Sequence, residues 1–175
     1  LSGEIKVSIE DSYAIVTISR PDKLNAVTKE MLVEFQEQVS RILNIPSVRV
    51  VIFTGEGDRS FCAGFDLQMV KSLHGQDAVN FFKLLEKTIR QIKENRTCIT
   101  VAAVNGYVIG FGAMVACACD FRIFSESAIF RLPEIELAIF PGAGAASNLI
   151  HLVGPARTKD ILMTGRKVSA EEAVR

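Results

Sequence analysis

The tightest constraint on this chain lies between Thr100 and Asp120, where no charged side chain occurs at all. Ile99 to Val104 reads as a strand. Val101 to Val104 leave no polar face, so both sides of that strand are expected to be covered. A turn follows at Asn105-Gly106, then a loop with Gly110 and Gly112 that opens into a helix of small residues, among them Ala113, Ala116, Cys117 and Ala118. A helix so small and so apolar belongs in the centre of a fold, closely packed. Its N-terminus presents free backbone N–H groups and the positive end of a dipole, which can stabilise negative charge developing on a ligand oxygen. Gly110-x-Gly112 begins a dinucleotide-binding fingerprint, but Val115 stands where its third glycine is required, and Gly142-x-Gly144 followed by Ser147 fails in the same way. Taken alone, the corner is equally a glycine-rich bend that only permits close packing.

A length of 175 residues, 49% of them apolar, is enough for one compact core. Twenty acidic residues balance twenty basic ones, so no field attracts nucleic acid or another polyanion. The four cysteines, Cys62, Cys98, Cys117 and Cys119, lie in apolar contexts without metal-like spacing and read as buried thiols of a reducing compartment rather than disulfides. With only His74 and His151, both in surface contexts, neither a metal site nor a Ser-His-Asp triad is expected. No signal peptide and no apolar run of membrane-spanning length is present, so an intracellular location is expected, in cytoplasm or, since the chain starts at Leu1, an organelle matrix.

In chain order, Ile5, Val7 and Ile9 alternate with polar residues, as do Ala14, Val16 and Ile18, which predicts an antiparallel hairpin. Thr28 caps a helix with Met31, Leu32, Phe35, Val39, Ile42 and Leu43 on one face, ended by Pro46. Arg49 to Thr54 is a strand. A short segment, Ser60 to Leu67, and a polar stretch lead to a second amphipathic helix near 78–93, with Phe81, Phe82, Leu85, Ile89 and Ile92 inward. After the central stretch, short strands are expected at 121–124 and 128–130. Pro141 to Gly144 open a helix through Leu152, Gly154-Pro155 punctuate it, and a helix over 156–163 follows. Ser169 to Glu172 forms a capping box. Strand, strand, helix with irregular inserts predicts an α/β chain without a clean βαβ count.

Four segments together resemble the enoyl-CoA hydratase/isomerase (crotonase) superfamily. They are Arg20-Pro21 with Leu24-Asn25-Ala26, the run Phe61 to Leu67 containing Ala63-Gly64-Phe65-Asp66, Val104-Asn105-Gly106 with Gly110 and Gly112, and Pro133-Glu134 followed by Pro141 to Gly144. The resemblance implies a crotonase-like spiral of strand-strand-helix turns. It makes residues 1–175 a single core domain, with the family's C-terminal helical part missing. It implies an acyl-CoA thioester as substrate, no separate cofactor because coenzyme A is part of that substrate, no metal, and assembly as a homotrimer or hexamer. The thioester oxygen would sit between the backbone N–H groups of Phe65 and Phe111. Backbone near Leu24, Ala26, Ala63, Asp66 and Leu67 would line the coenzyme, with Gly64, Gly110 and Gly112 giving close approach. Lys23 either faces a coenzyme phosphate or is simply solvated.

The family's hydratases carry two glutamates. The first position is Met114 here; the second is retained as Glu134, with Glu136 as the alternative if the register slips by two. One carboxylate suits a proton shuttle that moves a double bond from C3=C4 to C2=C3, so the resemblance implies an isomerase-type reaction using Glu134. Hydration or another crotonase-type reaction (decarboxylation, thioester hydrolysis) is the alternative, and a non-catalytic acyl-CoA binder or assembly domain is a third reading. The acyl pocket is expected to involve Phe65, Met69, Val70, Phe111 and Met114, with the bulk of Phe111 narrowing it.

Overall fold

The computed structural model describes residues 3–175. Strands β1 (Glu4–Glu10) and β2 (Tyr13–Ser19) form the expected hairpin, with Ile5 opposite Ile18 and Val7 opposite Val16. Thr28 caps α1 (Lys29–Leu43), its hydroxyl accepting from Met31 N at 3.3 Å, and the predicted apolar stripe of that helix is buried from Met31 through Ile42. Losing such a cap costs about 1 kcal/mol. The chain then returns as β3 (Val50–Gly55), parallel to β2.

Past β3 come β4 (Ser60–Cys62), α2 (Leu67–Ser72), α3 (Gly75–Lys93), β5 (Ile99–Val104) and β6 (Tyr107–Ile109). Next are α4 (Phe111–Ala118), β7 (Phe121–Phe124), β8 (Ile129–Arg131), a 3-10 turn at Glu134–Leu137 and α5 (Ala145–Thr164). The last elements are β9 (Val168–Ser169) and α6 (Ala170–Val174), where Ser169 caps by accepting from Glu172 N. Two sheets result, a larger one ordered β1-β2-β3-β5-β7 and a smaller one ordered β4-β6-β8-β9.

Val16, Phe53 and Ala102 of the larger sheet are fully buried; Phe53 meets Phe35 of α1 at 5.7 Å between ring centroids, and β5 packs against α4. Helix α4 lies in the middle of this core, with every residue from Phe111 to Ala118 buried. Its approach to β4 depends on Gly112. A Cβ there would stand 2.6 Å from the Cys62 carbonyl oxygen, so only glycine lets the helix start so close to that strand.

Several expectations change on the structure. β5 is an interior strand, but only one of its faces is sealed: Thr100, Ala102 and Val104 are buried, while Val101 and Ala103 are half-covered and Ile99 is 48% exposed. Val and Ala tolerate such a face, so the lack of polar residues did not require two covered sides. The loop expected after Gly106 contains β6, and the polar stretch after Leu67 contains α2, started by the Asp66 carboxylate accepting from Gln68 N and Met69 N. Helix α3 starts three residues earlier than its apolar pattern, because its first turn is solvated. Phe82 is not inward but 44% exposed. The helical segments of α5 meet at Gly154, whose φ of 77° and ψ of 169° break the helix before Pro155, as the sequence punctuation predicts. No helix among the described residues is long and apolar enough to cross a membrane.

Candidate active site

Three chain segments converge at the open ends of β4, β6 and β8. The first is Ala63-Gly64-Phe65, leaving β4. A bridge fixes it to the loop before α1: Val27 N donates to Gly64 O at 2.8 Å and Asp66 N donates to Val27 O at 2.9 Å. This pairing uses the Gly64 carbonyl and the Asp66 N–H, on either side of Phe65, and leaves the N–H of Phe65 itself free of any protein acceptor among the described residues. The second is the corner at Gly110-Phe111. Phe111 is the first residue of α4, so its N–H is one of the unsatisfied donors of a helix start, and no acceptor among the described residues takes it. The third is the 3-10 turn that presents Glu134.

These segments touch through glycine. A Cβ on Gly110 would lie 3.5 Å from Glu134 Oε1 and 3.6 Å from the Cα of Gly64, so a side chain there would fill the gap between donors and carboxylate. Gly110 has φ 53° and ψ −114°, and Gly64 has φ 94°, conformations that L side chains rarely adopt. The rings of Phe65 and Phe111 pack at 4.9 Å between centroids, and Phe111 also meets Phe35 edge-on at 5.6 Å. Only the backbone of Phe111 faces the gap closely. Its side chain is 1% exposed and belongs to the core, so the expected narrowing by its bulk is indirect.

Glu134 is 9% exposed and its Oε2 has no hydrogen-bond partner. Burial pushes its carboxyl above the ordinary glutamate range, opposed by a backbone hydrogen bond within its own residue. A buried carboxylate with an unpartnered oxygen is costly for folding, and such groups cluster at functional sites.

The cavity holding these groups measures about 310 Å³. Ala63, Gly64, Phe65, Leu67, Gly110, Phe111, Met114 and Glu134, all expected at the site, line it. Gly112 does not; it acts one layer behind, against Cys62. Lys23, Leu24 and Ala26 lie on the adjoining loop rather than in the cavity wall, and Asp66, the cap of α2, does not line the cavity either. Leu24 O accepts from Ala63 N at 3.0 Å, so this loop runs alongside the first donor segment. The side chain of Asp66 is occupied: it caps α2 and accepts from Arg20 at 2.9 Å, and the guanidinium is the main reason its carboxyl is held below the usual range. Val70 lines the cavity whereas Met69, one residue earlier, packs against the core.

Sequence reasoning missed the far wall. Phe81, Phe82 and Leu85 of α3 and Ile139-Phe140 of the loop before α5 close the apolar end, with Phe140 81% exposed at its rim. A signal was available: Phe81 and Phe82 are adjacent on a helix, about 100° apart, so both could not face one core. Arg131 and Glu136 also line the cavity and were not singled out together.

The cleft thus brings together two free backbone N–H groups, a buried glutamate and a largely apolar wall. The family model for enoyl-CoA hydratase/isomerase matches residues 8–175, and this chain belongs to that family. It is 39% identical over 166 residues to a crotonyl-CoA hydratase of Syntrophomonas wolfei, covering 95% of this chain and 64% of that protein. It is 37% identical over 166 residues to a short-chain-enoyl-CoA hydratase of Clostridium acetobutylicum, covering 95% and 63%. The crystal structure of an enoyl-CoA hydratase from Bacillus anthracis superposes with a TM-score of 0.91 at 34% identity, over 97% of this chain and 66% of that one. The chain therefore has the crotonase-like α/β fold expected of it, and it spans less than two thirds of the length of these relatives.

Proposed function

We propose that this chain carries the acyl-CoA site of an enzyme that stabilises a thioester enolate, with the N–H groups of Phe65 and Phe111 as the oxyanion hole and Glu134 as the base. The observation that carries this reading is Glu134 itself, buried with Oε2 unpartnered and Oε1 beside the Gly110 corner. Removing a proton from C2 of a thioester moves charge onto the carbonyl oxygen. Two fixed backbone donors in a water-poor cleft stabilise that charge more than mobile water does. The apolar wall from Phe65 to Phe140 fits an unsubstituted acyl chain, and the loop at Leu24 to Ala26 would run beside the coenzyme.

The finer reading is a one-base isomerisation. Met114, 5% exposed, lines the cavity where the family's hydratases carry their first glutamate. Glu134 would take a proton from C2 of a 3-enoyl-CoA, hold it while the dienolate rests on the two amides, and return it at C4. The names of the relatives support a second reading, hydration of a 2-enoyl-CoA. That reaction needs a second group to orient water, and the other carboxylate lining this cavity, Glu136, is bound to Arg131. Assembly as a homotrimer or hexamer belongs to the same proposal and is read by sedimentation.

The test is C2 proton exchange of a saturated acyl-CoA in deuterated water, with product analysis on 2-enoyl- and 3-enoyl-CoA. Glu134→Gln should slow exchange by a factor on the order of 10² to 10⁴, the usual worth of a positioned base. Exchange untouched by that substitution would remove Glu134 from the chemistry. Rapid hydration by the unaltered chain would select the second reading.

A further inference from the structure

The proposed chemistry uses the donors and the carboxylate and leaves the length of the apolar wall unexplained. That wall is a row of rings starting at the donor corner. Phe111 packs on Phe65 at 4.9 Å between centroids, Phe65 on Phe81 at 4.9 Å, and Phe81 on Phe82 at 5.5 Å. Phe111 and Phe81 are buried and Phe82 is exposed, so the row runs from the corner out to solvent. Leu85, one turn after Phe81 on α3, is also buried, while Leu137 and Phe140 line the same cavity and are exposed. Single exposed apolar side chains are ordinary, but three around one cavity mark a surface that a ligand covers.

The wall also selects by what it lacks. From α3 the cavity receives only Phe81, Phe82 and Leu85, and from the loop before α5 only Ile139, Phe140 and Gly142. No side chain there offers a hydrogen bond. The amides and phosphates of a coenzyme laid against it would lose water without gaining a partner, whereas hydrocarbon loses nothing.

Size then sets the length. At roughly 30 Å³ per non-hydrogen atom, about the share of a water molecule in the liquid, the 310 Å³ cavity holds about ten such atoms, the size of an octanoyl thioester group. A butyryl thioester, with about six, leaves more than a third of that space without hydrocarbon. We propose that the acyl group is of medium length, about eight carbons, with its tail along the Phe65–Phe81–Phe82 row and its end at the rim formed by Phe82 and Phe140. The inference rests on the acyl-CoA reading above and names the substrate class of that site.

The experiment is calorimetric titration of the unaltered protein with butyryl-, octanoyl- and dodecanoyl-CoA, repeated in Phe82→Ala and Phe140→Ala. Each fully buried methylene strengthens binding about fourfold, so octanoyl-CoA should bind on the order of 10² times more tightly than butyryl-CoA. Further carbons meet only the exposed rim, so dodecanoyl-CoA should gain no more than about tenfold over octanoyl-CoA. Each truncation should lower the octanoyl-to-butyryl ratio about fivefold. Val79→Ala is the control: Val79 is exposed on α3 and does not line the cavity, so the ratio should keep its parent value. A merely structural role for Phe82 or Phe140 would move all affinities together and leave the ratio alone. Equal affinity for butyryl- and octanoyl-CoA, or a ratio untouched by both truncations, would overturn the inference. Chain-length-independent binding would remove only the medium-chain assignment, whereas no binding of any acyl-CoA would remove the reading beneath it. The titration involves no proton transfer, so the role of Glu134 is decided separately by exchange.

Discussion

Gly112→Ala tests the link between packing and chemistry most directly. The added Cβ would stand 2.6 Å from Cys62 O and 2.8 Å from Cys62 Cβ, and Cys62 lies in β4 with no exposed surface. Ordinary contact begins near 3.4 Å, so helix and strand must separate by roughly 0.8 Å, and neither partner is a flexible side-chain end. Overpacking of this kind costs about 1–3 kcal/mol, while the helix propensity gained over glycine returns at most about 1 kcal/mol. The expected net loss is about 1–2 kcal/mol, or about 2–8 °C in Tm for a chain of this size. The chemistry should suffer more. Phe111, whose N–H would bind the enolate oxygen, immediately precedes Gly112, and a displacement near 1 Å costs about 10² in rate. Thermal unfolding and C2 proton exchange read the two effects, with Gly142→Ala as control. Gly142 lines the same cavity, but its Cβ would meet only Phe140 O, at 3.9 Å. An unchanged Tm in Gly112→Ala would refute the packing argument, and a lowered Tm with full exchange activity would remove Phe111 as a donor.

Asp66→Asn should lower Tm at neutral pH. The folded-state pKa of Asp66 is held down chiefly by Arg20, so its contribution is present above the ordinary carboxylate range and disappears as pH falls through the lowered value, where variant and parent should converge. Glu134 has the opposite sign: its raised pKa makes ionisation costly in the folded state, so Glu134→Gln should gain heat stability over the parent as pH rises from the ordinary glutamate range through the raised value, and be no different in acid. Burial pushes the thiols of Cys62 and Cys117 up to about 12, so alkylation at mildly alkaline pH should label half-buried Cys98 first and reach the others only on unfolding, as read by mass spectrometry. Amide exchange across Ala113 to Ala118 should be among the slowest in the chain, and rapid exchange there would contradict a buried α4.

What the sequence made legible follows from where periodicity is strong. The hairpin of β1 and β2 and the stripe from Met31 to Ile42 are long enough for a period of 2 or 3.6 to emerge. β6 has three residues and α2 six, too few to show any period, so the first reads as part of a glycine loop and the second only as a polar stretch. The donors at Phe65 and Phe111 are backbone groups, so no side chain announces them; they came from a family resemblance carried by the glycines around them. The Arg131–Glu136 contact is side-chain geometry across the Pro133 bend, and no spacing rule connects those positions.

The same site concentrates what would otherwise count against the fold. Leu24 and Asn25 adopt left-handed backbone at φ 50° and 58°, Gly64 and Gly110 lie in regions that side chains avoid, and Glu134 is buried with an oxygen unpaired. Glycine takes its two conformations without strain, whereas the left-handed Leu24 and Asn25 and the unpaired Glu134 oxygen each cost on the order of 1–3 kcal/mol where they are not relieved. Asn25 shows how the strain is held. Fully buried, it donates to Ser60 O at 2.6 Å and Glu56 O at 3.0 Å and accepts from Arg20 N at 2.9 Å, so its loop cannot relax without breaking three bonds. That loop in turn holds Gly64 through Val27 and Ala63 through Leu24, which fixes the free amide of Phe65. Asn25→Asp keeps the shape and the acceptor but replaces both donated bonds with carboxylate facing two carbonyls. It should therefore destabilise the chain by more than a cap loss, and on the proposed chemistry it should slow C2 exchange even in the fraction that remains folded. If exchange per folded molecule is unchanged in Asn25→Asp, the Leu24–Ala26 loop does not hold the Phe65 amide in register.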